Sequence, residues 1–333
     1  TALNTAQQAL TVSGHNISNV NTPGFSRQEA VLTERPPING QPGMTGTGVQ
    51  ASSIRRHVDR FVEQQLTVSD QTLGRLSVTR DELFRLQNIF GDSNDQGIGA
   101  ALSEFFQGLQ DVSTSPGESA ARSVLLGKAA QLTSSLNQAA SDLINARSSL
   151  NFQVSQTITE INSLTTQLAE LNGKIITAEV TGQNANDLRD QRQLALNELA
   201  QRIDITSIES GTGGLTIFAA RGQVVVEGDT HRDLEAVASA DNEALFEVGY
   251  STGGTRTVSL DRQITSGRLR ALLDLRDTTV QGLQDQFDRI AATLSNAVNL
   301  IHRQGYGLDG STRRDFFTPP TVTTQADSDN QGT

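Results

Sequence analysis

The 333-residue sequence is acidic, with a formal net charge of −11, and it contains no cysteine. It therefore has no disulfide framework, thiolate metal site or cysteine nucleophile. An acidic chain without a Lys/Arg cluster binds nucleic acid poorly, because phosphate contacts dominate that affinity. The four histidines are too far apart in sequence to predict a metal site, and no apolar run has membrane-spanning length, so we expect neither cofactor nor metal nor membrane insertion.

The amino-terminal stretch predicts a short amphipathic helix with an apolar stripe of Leu3, Ala6, Leu10 and Ile17. We expect this helix to end near Ser13-Gly14. Its stripe is too weak to stabilise an isolated helix, so the helix requires a partner helix. Because the sequence opens inside this helix and closes in polar residues, we expect it to be a fragment.

A turn follows the first helix, and its sequence is the most specific in the chain. Thr22 precedes a proline and is therefore extended, and Pro23-Gly24 suits the two central positions of a type II turn. Phe25 then has nothing nearby in sequence to cover it. The turn either packs its aromatic side chain on its own domain or contacts another subunit.

Residues 29–54 are predicted to be extended and turn-rich. Gly43, Gly46 and Gly48 match the spacing of neither nucleotide-binding fingerprint, and no clear strand precedes them. We therefore expect a mobile arm rather than a phosphate-binding loop.

Apolar residues spaced by threes and fours predict several helices. One seam runs through Val62, Leu66, Leu73, Leu76 and Leu83, and a shorter one covers residues 98–112. A long helix is predicted over residues 115–178, with its start at Ser115-Pro116-Gly117-Glu118, and another over residues 269–301. The seam positions that we select are Leu150, Ile161, Leu164, Leu168, Leu171, Leu273, Arg276, Leu283 and Phe287.

About sixty helical residues span roughly 90 Å, which is more than a compact domain needs. We therefore predict a mainly α fold, an elongated antiparallel helical bundle or coiled coil. Residues 204–263 change character to short apolar runs separated by glycine-rich turns, which predict a small antiparallel β insert. We expect this insert to project from one end of the bundle.

Two pairs of carboxylates at i, i+3 spacing are candidates for acid–base chemistry, Asp187 with Asp190 and Asp274 with Asp277. Arginines lie beside both pairs, so ion pairing is the preferred interpretation and the chain is not predicted to be an enzyme. Arg276 falls on an apolar seam. We expect it to pair with a carboxylate, such as Asp187 or Asp190, because a lone buried charge is costly.

Residues 2–28, with the core NISNVNTPGFSRQ, resemble the amino-terminal segment of bacterial flagellar rod, hook and hook-associated proteins. The ending Thr22-Pro23-Gly24-Phe25-Ser26-Arg27-Gln28 is similar to the FlgK-type hook-associated family, since hook and rod proteins usually lack its Ser-Arg-Gln continuation. Motifs in residues 46–61, 101–106, 186–192, 266–277 and 315–317 extend the resemblance along the chain. The sequence departs from the family at Arg189, where an aliphatic residue is more common. It also lacks the first dozen or so residues of the family and the carboxy-terminal part.

The resemblance implies a junction adaptor between hook and filament, exported by the flagellar type III apparatus to an extracellular location. The implied partners are further copies in a ring, the hook protein, the next hook-associated or filament junction protein and an export chaperone. The implied subunit-assembly residues are Leu3, Leu10, Asn16, Ile17, Asn19, Asn21, Pro23, Gly24, Phe25 and Arg27. Residues 1–28 are expected to order only on assembly.

The predicted organisation has six segments. They are a terminal assembly helix and turn (1–28), an extended Gly/Pro-rich arm (29–60), a helical bundle (61–203), a small β subdomain (204–263), a further bundle helix (264–303) and the start of a truncated domain or linker (304–333). Two alternatives remain open at this point. One is another flagellar axial protein, of the hook or distal rod, and the other is a secreted coiled-coil adhesin or effector.

Overall fold

The computed structural model describes residues 2–41, 43–90, 97–251, 257–307 and 309–319. The fold is mainly α, as the apolar periodicities predict. Its helices are α1 (Ala2–Ser18), α2 (Arg60–Ile89), α3 (Ile98–Thr114), α4 (Ser119–Val180), α5 (Asn186–Arg202), α6 (Gly267–Asp274) and α7 (Gln281–His302). A π-helical segment, Leu275–Val280, joins α6 to α7. Within the described part of the chain, no helix is long and apolar enough to cross a membrane.

The chain divides into two compact units. The first comprises Thr1–Glu82 and Ser149–Leu275, and the second comprises Leu83–Ser148 and Arg276–Thr333. The second unit has a core of Phe105, Leu125, Ala129 and Leu132, against which Phe316 and Phe317 pack. Residues 308 and 320–333 of the predicted last segment lie outside the described residues, and the six-segment division stays a prediction.

Two helix boundaries differ from the sequence predictions. Helix α1 continues past Gly14 to Ser18, since one exposed glycine in a helix costs only about 1 kcal/mol. Helix α4 begins at Ser119 rather than at Ser115, because Ser115 is the carboxy-terminal cap of α3 and its amide donates to the carbonyl of Asp111. Pro116 and Gly117 form the turn between these two helices.

The segment predicted to be a mobile arm forms two antiparallel strand pairs. Its strands are β1 (Gln28–Glu34), β2 (Ile38–Gly40), β3 (Gly43–Thr45) and β4 (Val49–Arg56), with β1 paired to β4 and β2 paired to β3. Helix α1 packs on the β1–β4 pair.

The β insert is confirmed as antiparallel, but it comprises two sheets. The strands are β5 (Ile205–Glu209), β6 (Leu215–Ala219), β7 (Gln223–Glu227), β8 (Thr230–His231), β9 (Leu234–Ala238), β10 (Phe246–Ser251) and β11 (Thr257–Ser259). The first sheet has the order β5-β6-β7-β8 and the second the order β11-β10-β9.

The two sheets lie along α4 instead of projecting from an end. The Asn151 side chain accepts a hydrogen bond from the amide of Phe246 (2.8 Å), and the Asn162 side chain bonds both backbone groups of Leu234. The fully buried Asn172 likewise bonds the amide and carbonyl of Leu215. Because these anchors are spread over two-thirds of the first unit's share of α4, the insert packs against the side of the helix.

Candidate assembly site

The end of α1 and the start of β1 are joined by a side-chain clamp. The Asn16 side chain donates to the carbonyl of Gln28 (2.8 Å) and accepts from its amide (2.9 Å), as a neighbouring strand would. Near the other end of α1, the Thr5 hydroxyl donates to the carbonyl of Val49 (3.2 Å). These bonds fix α1 on the β1–β4 pair within one copy of the chain.

The turn after α1 has the predicted type II form. The amide of Phe25 donates to the carbonyl of Thr22 (3.2 Å), and Gly24 between them has φ +79°. A Cβ atom on Gly24 would lie 3.3 Å from the Cβ of Leu194 on α5, so the turn also approaches that helix closely. Both its backbone conformation and this contact favour glycine.

Phe25 is half-buried in this structure rather than uncovered. Its ring lies 5.4 Å from the ring of His15, centroid to centroid. This contact supports the interpretation in which the loop aromatic packs on its own domain.

Asp187 and Asp190 on α5 hold the segment that follows the turn. The Asp190 carboxylate accepts from the amide of Ser26 (3.0 Å) and lies 2.8 Å from Nε of Arg56, and Asp187 accepts from the Gln28 side chain (2.7 Å). Asp190 thus forms an ion pair, as expected, but with Arg56 of β4 and not with the arginines beside it on α5. Asp187 and Asp190 lie on one side of α5 and the arginines point to another.

Arg189 and Arg192 instead converge on Glu209 of β5. Their nitrogens lie 2.6 Å and 2.8 Å from its carboxylate, and Arg189 also pairs with Glu179 (2.7 Å). Burial raises the pKa of Glu209, but the two arginines outweigh that effect, so its pKa lies below the ordinary value. Burial of Arg192 is the largest influence on its own guanidinium and lowers that pKa.

Arg276 is completely buried, and its partner is the adjacent carboxylate. Its Nε and Nη2 atoms lie 2.7 Å and 2.8 Å from Asp277, whereas Asp187 and Asp190 bind the amino-terminal segment. The expectation of a carboxylate partner is confirmed, but the suggested partners were wrong. Asp274 pairs with Arg270 one helical turn before it. Among the described residues, no group of three His, Cys, Asp or Glu side chains could hold a metal ion.

Helix α1 packs through the side that carries Thr5 and Val12 and exposes its predicted apolar stripe. Thr5 and Val12 are buried against the strands, whereas Leu3, Leu10 and Ile17 are 80%, 72% and 74% exposed. These three residues lie seven apart, on the face opposite to the buried one. A soluble helix usually buries such a stripe, so this arrangement leaves the apolar side free for another chain.

Helix α2 shows the same inversion, which overturns the expectation that its seam would cover another helix. Val62, Leu66, Leu73, Leu76 and Leu83 are all exposed, and the buried face contains Thr67, Gln71 and Gly74. A Cβ atom on Gly74 would lie 1.9 Å from the carbonyl oxygen of Gln201, so the two backbones touch there. This contact, which only glycine permits, lies on the buried face of α2.

The remaining predicted residues fall into two groups. Asn19 bonds the carbonyl of His15, while the three exposed loop positions are Asn21, Pro23 and Arg27. Along the helices, the buried seam positions are Leu150, Ile161, Leu164, Leu168, Leu171, Leu273 and Phe287, and Leu283 is half-buried.

Sequence reasoning missed three residues that position the site. Gln28 and Asp190 hold the turn, and Asn172 links α4 to the insert and to Nη1 of Arg192 (3.0 Å). Asp190 was visible as half of an acidic pair, but its partners are over a hundred residues away in sequence. Asn172 had a weaker signal, since it is one of several polar residues among the buried positions of α4, together with Thr157 and Thr165.

Two family models match the chain. Residues 83–317 match the model described as the flagellar hook-associated protein FlgK helical domain, and residues 1–25 match that of the flagella basal body rod protein.

Similar proteins are named in the same terms. Flagellar hook-associated protein 1 of Salmonella typhimurium (strain LT2) is 28% identical over 98% of this chain and 60% of its own length, and that of Bacillus subtilis (strain 168) is 28% identical over 95% and 68%. The chain thus spans about 60% of the length of the Salmonella relative. A solved structure of the flagellar hook junction protein FlgK from Burkholderia pseudomallei is 30% identical, with a TM-score of 0.67, and covers 74% of this chain and 45% of that one.

Proposed function

This chain belongs to the FlgK helical-domain family of flagellar hook-associated proteins, and from that premise we propose that it is a structural adaptor at the hook–filament junction of the bacterial flagellum. Its relatives carry names of flagellar components, which supports a mechanical rather than a catalytic role. They favour the junction adaptor over a secreted adhesin or a hook protein.

The observation that carries the proposal is the inverted packing of α1. The side with Thr5 and Val12 is fixed to the β1–β4 pair, while Leu3, Leu10 and Ile17 face solvent. Such a stripe needs an apolar helix from outside the described chain to cover it, because leaving it in water forfeits the free energy of burial. A protein that assembles with neighbouring subunits would use this arrangement.

The finer parts of the proposal follow from the family resemblance. The subunits form a ring and contact the hook protein on one side and the next junction protein on the other. They are exported with the help of a chaperone and act outside the cell. The helices assemble into an elongated antiparallel bundle that resists torque, and the β insert faces outward. The expectation that residues 1–28 order only on assembly is not part of the proposal, because Thr5 and Asn16 already bond α1 to β4 and β1 within one chain.

The test uses hooks purified from bacteria that lack this protein. The full-length protein should bind the hook ends in negative-stain images and permit filament growth. The triple variant Leu3→Gln, Leu10→Gln and Ile17→Gln keeps the Thr5 and Asn16 bonds but should not cap hooks. A matched control replaces the exposed polar residues Gln7 and Gln8 by Ala and should bind normally. If the triple variant caps hooks as well as the control does, the stripe is not the assembly element.

A further inference from the structure

A cleft of about 1070 Å³ lies within the first unit and has no part in the proposed assembly role. Its walls are β4, the first turns of α2, the α4–α5 connection, α5 and β5. A volume of this size is at the upper end of ligand sites in proteins. The cleft also brings together a free strand edge and an excess of positive charge.

The free strand edge belongs to β5, which pairs with β6 alone. On the β6 side, the carbonyl of Asp204 accepts from the amide of Ala220 (3.4 Å), and the amide of Ser210 donates to the carbonyl of Gly214 (2.7 Å). Because backbone groups alternate sides along an antiparallel strand, those of Ile205, Ser207 and Glu209 point away from β6. The Ile205 carbonyl accordingly accepts a hydrogen bond from the Gln71 side chain (2.8 Å).

Ser207 is the next residue along β5 whose backbone amide and carbonyl point away from β6, and it lines the cleft. In the described part of the chain, nothing hydrogen-bonds its outward amide and carbonyl. An open edge of this kind accepts an added strand. Strand β4 also borders the cleft, but its Ile54 carbonyl already accepts from Asn184 (2.9 Å) and Asn186 (2.8 Å). Strand β5 is therefore the better acceptor.

The charge of the cleft differs from that of the chain. Its lining has five arginines and three glutamates, which are Arg55, Arg56, Arg60, Arg189, Arg192, Glu63, Glu179 and Glu209. Most of these groups pair with one another, and Arg60 itself lies 3.3 Å from Glu209. Arg55 and Arg60 are nevertheless the solvent-exposed arginines of the lining, and the Arg60 side chain is 81% exposed. The lining has an excess of two positive charges, or one when Asp190 beside Arg56 is included, in a chain of net charge −11, and this favours an acidic ligand. Ile208, which is 64% exposed, adds an apolar contact beside the free edge.

We propose that this cleft binds an extended acidic peptide segment of a partner protein. The segment adds to the free edge of β5 through the backbone groups of Ser207. Its acidic side chains lie beside Arg55 and Arg60, and its apolar side chains contact Ile208. Backbone bonds supply affinity in this mode of recognition, and side chains supply selectivity.

The experiment measures fluorescence polarisation of a labelled peptide in which Asp and Val alternate. Two comparison peptides carry Lys in place of Asp, or a methyl group on every backbone nitrogen. The acidic peptide should bind saturably, and both comparison peptides should bind at least about tenfold more weakly. The double variant Arg55→Glu and Arg60→Glu should lose affinity by a similar factor, whereas Arg80→Glu, an exposed position on α2 outside the cleft, should not.

Several results would overturn the proposal. Absence of saturable binding up to about 1 mM peptide would exclude a functional site of this kind. Equal binding of the lysine peptide would exclude charge recognition, and equal binding of the methylated peptide would exclude strand addition. Displacement by inorganic phosphate at matched ionic strength would reveal a small-anion site instead. The substituted arginines are exposed, so unchanged circular dichroism should accompany any loss of binding. None of these outcomes depends on hook capping.

Discussion

Two glutamates in the same cleft have pKa values displaced in opposite directions. Burial raises the pKa of Glu63 above its ordinary value of 4.5, although Arg56 opposes this effect. For Glu209, burial also raises the pKa, but Arg189 and Arg192 together bring it below 4.5. Ionisation of Glu209 therefore adds stability above pH 4.5 that is lost as the pH falls through the folded-state pKa. Ionisation of Glu63 subtracts stability as the pH rises from 4.5 through its raised pKa.

Substitution of each glutamate by Gln should reveal this contrast. At pH 7, Glu209→Gln should lower the free energy of unfolding by about 2 kcal/mol, because it removes charge-assisted bonds to two arginines. That deficit should shrink on acidification. Glu63→Gln should raise the free energy of unfolding at pH 7 and change it little near pH 4. Urea unfolding at both pH values measures these differences, and effects of the same sign at pH 7 would contradict the prediction.

The buried Arg276–Asp277 pair should respond unequally to loss of its two members. Removing the carboxylate in Asp277→Ala leaves a buried cation and should cost about 3 kcal/mol. Replacing the cation in Arg276→Leu suits the apolar surroundings and should be close to neutral. Melting temperatures of both variants test this asymmetry. If neither substitution changes the melting temperature, the pair contributes nothing to stability.

At the scale of elements, one glycine determines how α2 packs on α5. In Gly74→Ala the new methyl group would meet the Gln201 carbonyl at 1.9 Å, so the helices must separate. We expect a loss of about 3 kcal/mol, as for other overpacked contacts. Gly127→Ala on α4 is the matched control, since nothing lies within 4 Å of its added Cβ. That substitution should stabilise the helix by about 0.5–1 kcal/mol. Thermal unfolding measures both variants. If the two substitutions lower the melting temperature equally, the close contact is refuted.

At the scale of the whole molecule, the stripe on α2 should promote association between copies. Leu73 lies on this stripe, whereas Val68 lies five residues earlier and about 140° around the same helix. Their exposed fractions are similar, 57% and 60%. Leu73→Gln should reduce concentration-dependent association in sedimentation experiments, whereas Val68→Gln should not. Both substitutions should leave folding stability within about 0.5 kcal/mol, because both side chains are exposed. Equal effects on association would mean that general surface hydrophobicity is responsible.

Periodicity predicted the existence of the helices better than it predicted their contacts. On α4 the residues from Leu150 to Ile175 recur at helical spacing and are buried in this structure. The seam on α2 has the same spacing, yet it faces solvent. An apolar pattern indicates that a helix face will be covered. It does not show whether the covering residues belong to the same chain or to another one. On α2 the face that packs on α5 includes Gly74, whose backbone contact with Gln201 carries no hydrophobic signal.

The sequence also predicted the local backbone geometry of the turn, but it did not predict which distant residues bind the turn. The type II turn follows from Pro23 and Gly24, whose backbone preferences are intrinsic to the residues. The bond from Ser26 to Asp190 joins residues 164 positions apart, so no local pattern indicates it. The acidic pair on α5 predicted ion pairing, but only the fold shows that the partners come from the amino-terminal segment.

The three asparagines that anchor the β insert also limit how α4 can change in length. Asn151, Asn162 and Asn172 are separated by eleven and ten residues, close to three helical turns of about 10.8 residues. One inserted residue between them would rotate the later anchors by about 100° and move them along the axis by about 1.5 Å. The insert would then lose one set of anchors. Even about eleven inserted residues, which would restore the angular position, would move the later anchors by about 16.5 Å along the axis. We therefore expect insertions and deletions in this stretch not to be tolerated, whereas exposed positions can vary freely in composition.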